Sequence, residues 1–437
     1  MARRLFTYSL LCAGLWSCTF SLAQGTGVTD DQAAASPSAP VNPVIEWNRT
    51  LLQIVRTPNA QPSTIHSTRD FAILHIAIFD AANNIDRSFQ PYAVRLPHVS
   101  RRASTQAAAD QAAHDVLVSL YPAFATTLDS ELQQDLEEIP YGTDKNDGIE
   151  VGRAVAAATL ASRSNDGSAV VLPPFMPKDQ PGSYQLTPPN FAPADFIQWA
   201  GVTPFALHHA NQFRPGPPPQ LGSEDYTRSF EEVQSFGFIG STVRTSDQTQ
   251  IGQFWNGNIQ DFWNEIAQTA ALSHRLDLAH TAHLFALLNI SLADTTIAFF
   301  EAKYVYTLWR PVTAVQMADT DGNPATAPDS AWLPLSTKTA PDPSYPGAHS
   351  AISAAAAETL RLYLGDRITL DVTSESLPGT TRHFTSFSEA AEEAGLSRIY
   401  AGQHFRFDHN VGKRLGREVA GFVLLTTLHP RLSPDFD

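Results

Sequence analysis

Six side chains in the last third of the sequence have the types and spacing needed to handle an oxyanion. Lys303 and Arg310 stand seven residues apart in Lys303-Tyr-Val-Tyr-Thr-Leu-Trp-Arg310-Pro311. Seven residues is nearly two helical turns, so this spacing predicts two cations on one helix face, with Pro311 ending or bending the helix. On an otherwise aromatic and apolar segment, such a pair calls for a buried anion or for a solvated, salt-bridged face. Further on, Tyr345-Pro346-Gly347-Ala348-His349-Ser350 leads into an alanine-rich run from Ala351 to Leu364. A proline and a glycine before a helical run place the open N–H groups of a helix start where an anion can use them. His349 falls in that first turn, where an imidazole can give or take a proton, although alone it reads as a capping or surface residue. In Ser397-Arg398-Ile-Tyr-Ala-Gly-Gln-His404-Phe-Arg-Phe-Asp408, His404 and Asp408 are four apart. On a helix the carboxylate would take the proton of one imidazole nitrogen and free the other to attack or ligate, while Arg398 offers a planar fork of donors to oxygen. Asp408 beside His409 reads, by itself, equally well as a surface pair.

The surrounding sequence predicts an all-α, helical-bundle scaffold. Apolar residues recur at helical spacing in Phe71, Leu74, Ile78, Phe79 and Ala82, and in Ala109, Ala112, Ala113, Val116, Leu117 and Leu120. His75 shares the first stripe and reads as a satisfied core histidine. Between Gly167 and Gly222 the pattern breaks at Pro173-Pro174, Pro188-Pro189 and Pro215-Gly-Pro-Pro-Pro219, which no continuous helix tolerates. Phe175, Phe191, Phe196, Trp199, Phe205 and Phe213 recur there, so an ordered connector packed on the helices is expected, forming a lid or pocket wall. Helical spacing resumes with Ile251, Phe254, Trp255, Phe262 and Trp263, and again from Leu284 to Phe300, a stretch whose Asn289, Ser291 and Asp294 mark a buried helix and not a membrane span. No run of alternating strand residues stands out. The resulting division is a signal peptide over 1–23, a disordered leader over 24–42, an amino-terminal helical region over 43–166, a Pro-rich connector over 167–222 and a carboxy-terminal helical catalytic region over 223–437.

The export signal is read from Arg3 and Arg4 before the apolar stretch Leu5 to Leu22, closed by the small residues of Ser21-Leu-Ala23. A retained membrane anchor and, through Leu15-Trp-Ser-Cys18, a lipoprotein box are the alternatives. Both cysteines, Cys12 and Cys18, lie in this segment, so the mature chain has no thiol, which excludes disulfides, thiolate metal sites and cysteine nucleophiles. The formal charge is −15, and losing Arg3 and Arg4 takes it to −17. So acidic a chain is not built for nucleic acid or an anionic membrane, and its clustered cations need a local reason.

Taken together, the three segments resemble the signature of the type 2 phosphatidic acid phosphatase superfamily, which includes the vanadium-dependent haloperoxidases. That signature runs Lys, six residues, Arg-Pro; then Pro-Ser-Gly-His; then Ser-Arg, five residues, His, three residues, Asp. The chain keeps the first and third motifs in full and Pro346 and His349 of the second; Trp47 to Asn84 also looks like the amino-terminal helices of bacterial haloperoxidases. The resemblance implies that Lys303, Arg310 and Arg398, with backbone N–H groups at Gly347 and Ala348, hold the oxygens of vanadate, or of phosphate in the same site. His404 would be the vanadium ligand or the phosphatase nucleophile, Asp408 its orienting partner and His349 the acid/base group. It implies a haloperoxidase that oxidises halide with hydrogen peroxide, with or without an organic acceptor. An exported acid phosphatase and a non-catalytic phosphate-binding protein remain as alternatives, and the location is periplasmic or extracellular. Two positions depart from the pattern. The motif serine and glycine are replaced by Gly347 and Ala348, and Asp342 stands seven residues before His349, where halogenating members carry an aromatic or histidine side chain. A carboxylate there would repel halide, which puts bromide or iodide ahead of chloride.

Overall fold

The computed structural model describes residues 42–431. The expected signal at 1–23 and leader residues 24–41 lie outside the described residues, as do residues 432–437. Thirteen α-helices occur among the described residues. The first five are α1 (Pro43–Arg56), α2 (Ser67–Asp86), α3 (Thr105–Leu120), α4 (Ala125–Glu137) and α5 (Thr143–Arg163). After the connector come α6 (Glu224–Gly237), α7 (Ser246–Phe254), α8 (Ile259–Ser273), α9 (Leu278–Tyr306), α10 (Pro311–Gln316) and α11 (Ala348–Leu364). Strands β1 (Arg367–Thr373) and β2 (Thr381–Ser386) then precede α12 (Phe387–Tyr400) and α13 (Arg406–Thr426).

Two helices with apolar residues nearly all round, α2 and α9, are buried along almost their whole length and pack on each other. Helices α3 and α5 pack with α2, and α11 and α13 with α9, giving two bundles that share one core. The same device tightens both. Gly148 and Gly152 of α5 lie against α3, and Gly412 and Gly416 of α13 against α11, so closely that a Cβ on Gly416 would stand 2.0 Å from the Ala351 carbonyl oxygen. Alanines on α11 and glycines on α13 thus let two backbones touch.

Helix α9 is long and apolar enough to cross a membrane, but its apolar window is entirely buried inside the protein. Two of its buried polar residues tie it to its neighbours: Asn289 and Asn264 exchange hydrogen bonds at 3.0 and 3.1 Å, and Asp294 accepts the amides of Phe205, Ala206 and Leu207 at 2.6–2.8 Å. Those three bonds anchor the connector to the core. His75 is fully buried, with Nε2 at 2.9 Å from Asn48 Oδ1, while its Nδ1 has no partner.

One expectation fails here. Strands β1 and β2 form an antiparallel hairpin in which Leu370 faces Phe384. Leu370, Val372 and Phe384 are buried while their neighbours, Asp371 and His383 among them, are exposed, so Ile368-Thr-Leu-Asp-Val-Thr373 does carry the alternation of a half-buried strand.

Substitution at the helix contact should separate packing from propensity. Gly416→Ala is expected to lose about 1–3 kcal/mol in urea unfolding, the usual cost of overpacking. Gly421→Ala on the same helix meets nothing within 4 Å and should instead gain up to about 1 kcal/mol. A second prediction concerns Asp110 of α3, fully buried and accepting a 3.0 Å hydrogen bond from Trp47 Nε1. Burial first, then the charge of Asp135, pushes its pKa up to about 8. The folded chain therefore holds this proton where the unfolded chain has released it. The contribution to stability is complete below the unfolded value of 3.8 and is lost as pH rises through about 8. Asp110→Asn should flatten that decline, and an unaltered stability–pH curve would rule Asp110 out as its source.

Candidate functional site

Lys303 and Arg310 do not share a helix face. Helix α9 stops at Tyr306, Thr307 turns the chain with φ +48°, and Arg310 is the residue capping the start of α10, whose first position is Pro311. Proline without an N–H suits that first position, so Pro311 begins a helix where bending or ending one was expected. The bend is held from the connector: Trp309 N–H donates to Gly182 O at 2.9 Å and Tyr184 N–H to Thr307 O at 2.6 Å. The two cations meet because the chain folds back, and the carboxylate they share is Asp342. Lys303 Nζ and Arg310 Nη2 each lie 2.7 Å from Asp342 Oδ1, and Arg310 Nε donates to the Asp342 carbonyl at 2.7 Å. Lys303 also donates to the carbonyls of Pro343 and Ser344.

His404 is likewise off the helix. Helix α12 ends at Tyr400 and α13 begins at Arg406; between them Gly402, at φ +75°, packs against Gly237 and Pro334. Asp408 sits in the first turn of α13, where one oxygen, Oδ2, accepts the Phe405 amide at 3.0 Å, Ser344 Oγ–H at 2.5 Å and His404 Nδ1–H at 3.0 Å. The expected His404–Asp408 pair thus forms, as a helix-capping arrangement. With its Nδ1 proton given to Asp408, His404 keeps the Nε2 lone pair, 3.2 Å from Arg310 Nη1. Burial, then Arg310, Lys303 and Arg398, holds His404 well below its ordinary pKa, so it is neutral.

Helix α11 starts at Ala348, as its sequence indicates, and His349 lies in the first turn. Its Nε2 is 3.0 Å from the Trp255 carbonyl, so the proton sits there and Nδ1 is the basic nitrogen. Burial first, then Arg398, lowers its pKa well below the usual value. Gly347 differs from expectation: its N–H donates to the Asp408 carbonyl at 3.0 Å and is not free for an anion. The open amides at this helix start begin with Ala348. A side chain on Gly347 would also press on Asp408, its Cβ 3.2 Å from that carbonyl oxygen.

Arg398, in the last turn of α12, completes the group. Its Nη1 donates to Asn256 Oδ1 at 3.0 Å, while Nε is buried without a partner. Burial, then Arg310, takes its pKa down to about 9, still protonated at neutral pH. For Lys303, burial outweighs Asp342 and lowers the pKa to about 8. Asp342 is the reverse case: burial acts to raise it, and Lys303 and Arg310 overcome that and hold it below the usual carboxylate range. It is therefore no bare carboxylate but the counter-ion of two cations. Sequence spacing gave no sign of Ser344 or Asn256 as partners; Asn256 lies 142 residues before Arg398.

Three buried cations, a neutral imidazole with a lone pair among them, an unpartnered guanidinium nitrogen and open amides at a helix start form a donor set for a tetrahedral oxyanion. Arg398→Ala should weaken binding of inorganic phosphate by about tenfold to a hundredfold, the worth of a charge-assisted hydrogen bond of about 1.5–3 kcal/mol. Calorimetry checks this, and unchanged affinity would place the anion elsewhere.

Residues 283–429 match the family described as the VCPO second helical-bundle domain. The chain is 24% identical to the vanadium chloroperoxidase of Curvularia inaequalis, over 84% of this chain and 79% of that protein. Among solved structures, a bacterial vanadium-dependent iodoperoxidase aligns with a TM-score of 0.75 at 25% identity, over 89% of this chain and 97% of that one. A holo-type bacterial vanadium-dependent chloroperoxidase aligns at 0.63 with 16% identity, over 91% of this chain and 95% of that one, a likeness of fold.

Proposed function

We propose that this chain, which belongs to the vanadium-dependent haloperoxidase family within the type 2 phosphatidic acid phosphatase superfamily, binds vanadate at this site and uses hydrogen peroxide to oxidise halide. The carrying observation is the neutral His404, whose Nε2 lone pair meets Arg310 Nη1 at 3.2 Å while the charges of Lys303 and Arg398 also act on it. When bound, vanadate supplies a Lewis-acid centre that activates peroxide without a change in oxidation state.

The protein's part is to bind, orient and move protons. Arg398, with its unpartnered Nε, and the amides from Ala348 onward take oxygens of the anion; Lys303 and Arg310 add positive charge at its edge. His404 presents Nε2 as the ligating atom. Asp408 fixes the tautomer by holding Nδ1–H, and Ser344 donates to the same carboxylate oxygen and keeps it in place. His349, protonated on Nε2 toward Trp255, has Nδ1 available to take a proton from peroxide and return it to the product.

Iodide and bromide stand ahead of chloride in this reading. Chloride is the most strongly hydrated of the three and the hardest to oxidise, and Asp342, paired with Lys303 and Arg310, cancels part of the positive charge that would draw it in. The relative aligned at a TM-score of 0.75 being an iodoperoxidase supports the same order. The amino-terminal Arg3-Arg4 and apolar stretch support export to the periplasm or beyond.

Protein loaded with orthovanadate should brominate a phenol-red reporter and oxidise iodide in the presence of peroxide, and His404→Ala should abolish both. Aryl phosphate hydrolysis that vanadate inhibits, with no halide oxidation, would replace this reading with a phosphatase using His404 as nucleophile.

A further inference from the structure

Charge around the site is unevenly spent. Asp408 is committed to His404, Ser344 and the Phe405 amide, while Asp342 is committed to two of the three cations, both on the single oxygen Oδ1. Arg398 makes no ion pair among the described residues: its acceptor is the neutral amide oxygen of Asn256, and it feels Asp342 only through space. Counting Lys303, Arg310 and Arg398 against Asp342 and Asp408 leaves an excess of one positive charge. The next carboxyl outward, Asp195, is felt electrostatically by Asp342 and can only reduce that excess. Without Asp342, the same donors would carry two.

We propose that Asp342 sets the charge this pocket accepts: the Lys303–Asp342–Arg310 triad makes the site select singly charged, protonated tetrahedral oxyanions over doubly charged ones, and thereby vanadate over phosphate. The inference rests on the oxyanion site described above and adds a selectivity that shape cannot supply. Vanadate and phosphate have the same geometry and would use the same donors. They differ in protonation, because vanadic acid keeps its second proton to higher pH than phosphoric acid, so in mildly alkaline water vanadate is mostly singly charged and phosphate doubly charged. A carboxylate beside the anion repels the second charge as strongly as the first. A difference of one charge between ligands of equal shape is therefore expected to change their relative affinity by at least about tenfold. Asp342 Oδ2, opposite the oxygen that both cations meet, is the natural acceptor for a hydroxyl, of which singly charged vanadate carries two, doubly charged phosphate one and sulfate none.

The experiment is calorimetric, on the vanadate-free full chain in buffer at about pH 7.5, where Lys303 is still mostly protonated, with orthovanadate, inorganic phosphate and sulfate titrated separately into the wild type, Asp342→Asn and Asp342→Glu. The wild type should favour vanadate. Asp342→Asn should bind phosphate and sulfate at least about tenfold more tightly relative to vanadate, and Asp342→Glu, which keeps the charge, should retain the preference. Equal changes for all three anions, or an unchanged ratio, would overturn the proposal. Should Asp342→Asn fail to fold, the wild type still decides the matter: perrhenate, singly charged at any pH, must bind more tightly than sulfate, and the opposite order overturns it. None of these readouts involves turnover. Loss of halide oxidation with intact selectivity would therefore count against the proposed function alone, and loss of selectivity in an active enzyme against Asp342 alone.

Discussion

The close approach of α11 and α13 is the contact on which the site depends. Gly412 and Gly416 leave the α11 backbone no room for a side chain between the helices, so the start of α11 is pressed onto the first turn of α13. The Gly347 N–H then reaches the Asp408 carbonyl, joining the segment that carries His349 to the one that carries His404. A Leu or Val at either glycine would push the helices apart by more than a hydrogen bond can span. The alanine-rich face of α11 and the glycines of α13 are thus as much a part of the site as the imidazoles.

Burying three cations is the electrostatic problem that this packing creates. Water is excluded from Lys303, Arg310 and Arg398, and unpaired buried charge is costly. The structure answers with Asp342 between two of them, backbone carbonyls from Pro343, Ser344 and Gln403, and the Asn256 amide at the third. Burial, and after it the same cations, keep His404 neutral, which is what a ligating or nucleophilic nitrogen requires. Function and structural cost share one origin here: the field that would attract an anion also holds the imidazole unprotonated.

The connector contributes in a less obvious way. It crosses from α5 to α6 almost without helix, yet Asp294 on the central helix takes three successive amides from it, and residues 182–184 tie down the turn after α9. That turn decides where Arg310 points. A proline-rich segment suits the task because it follows an irregular path without a regular hydrogen-bond ladder of its own.

Much of this was legible in the chain itself. Helical spacing in Phe71 to Ala82 and from Leu284 to Phe300 reported the two central helices, because burial on all sides selects apolar residues at every turn. Residue types at Lys303, Arg310, His349, Arg398, His404 and Asp408 suggested an anion site, and the fold links them through the contacts of Arg310 with His404 and of His404 with Asp408. The β1–β2 hairpin was only half legible: Ile368 to Thr373 alternates as a strand should, whereas β2 carries a single buried residue, Phe384. Spacing also misjudged how two pairs come together: Lys303 and Arg310 meet across a left-handed turn, and His404 precedes the helix that Asp408 caps. Sequence by itself determined which charges and imidazoles are present, since composition and local propensity act over a few residues. Only tertiary structure decided that Asp342 neutralises two of those cations, that Ser344 and Asn256 complete the set and that Gly347 spends its amide on Asp408. Those contacts join segments tens to more than a hundred residues apart, and electrostatic and packing energies depend on distance in space, which local spacing does not encode.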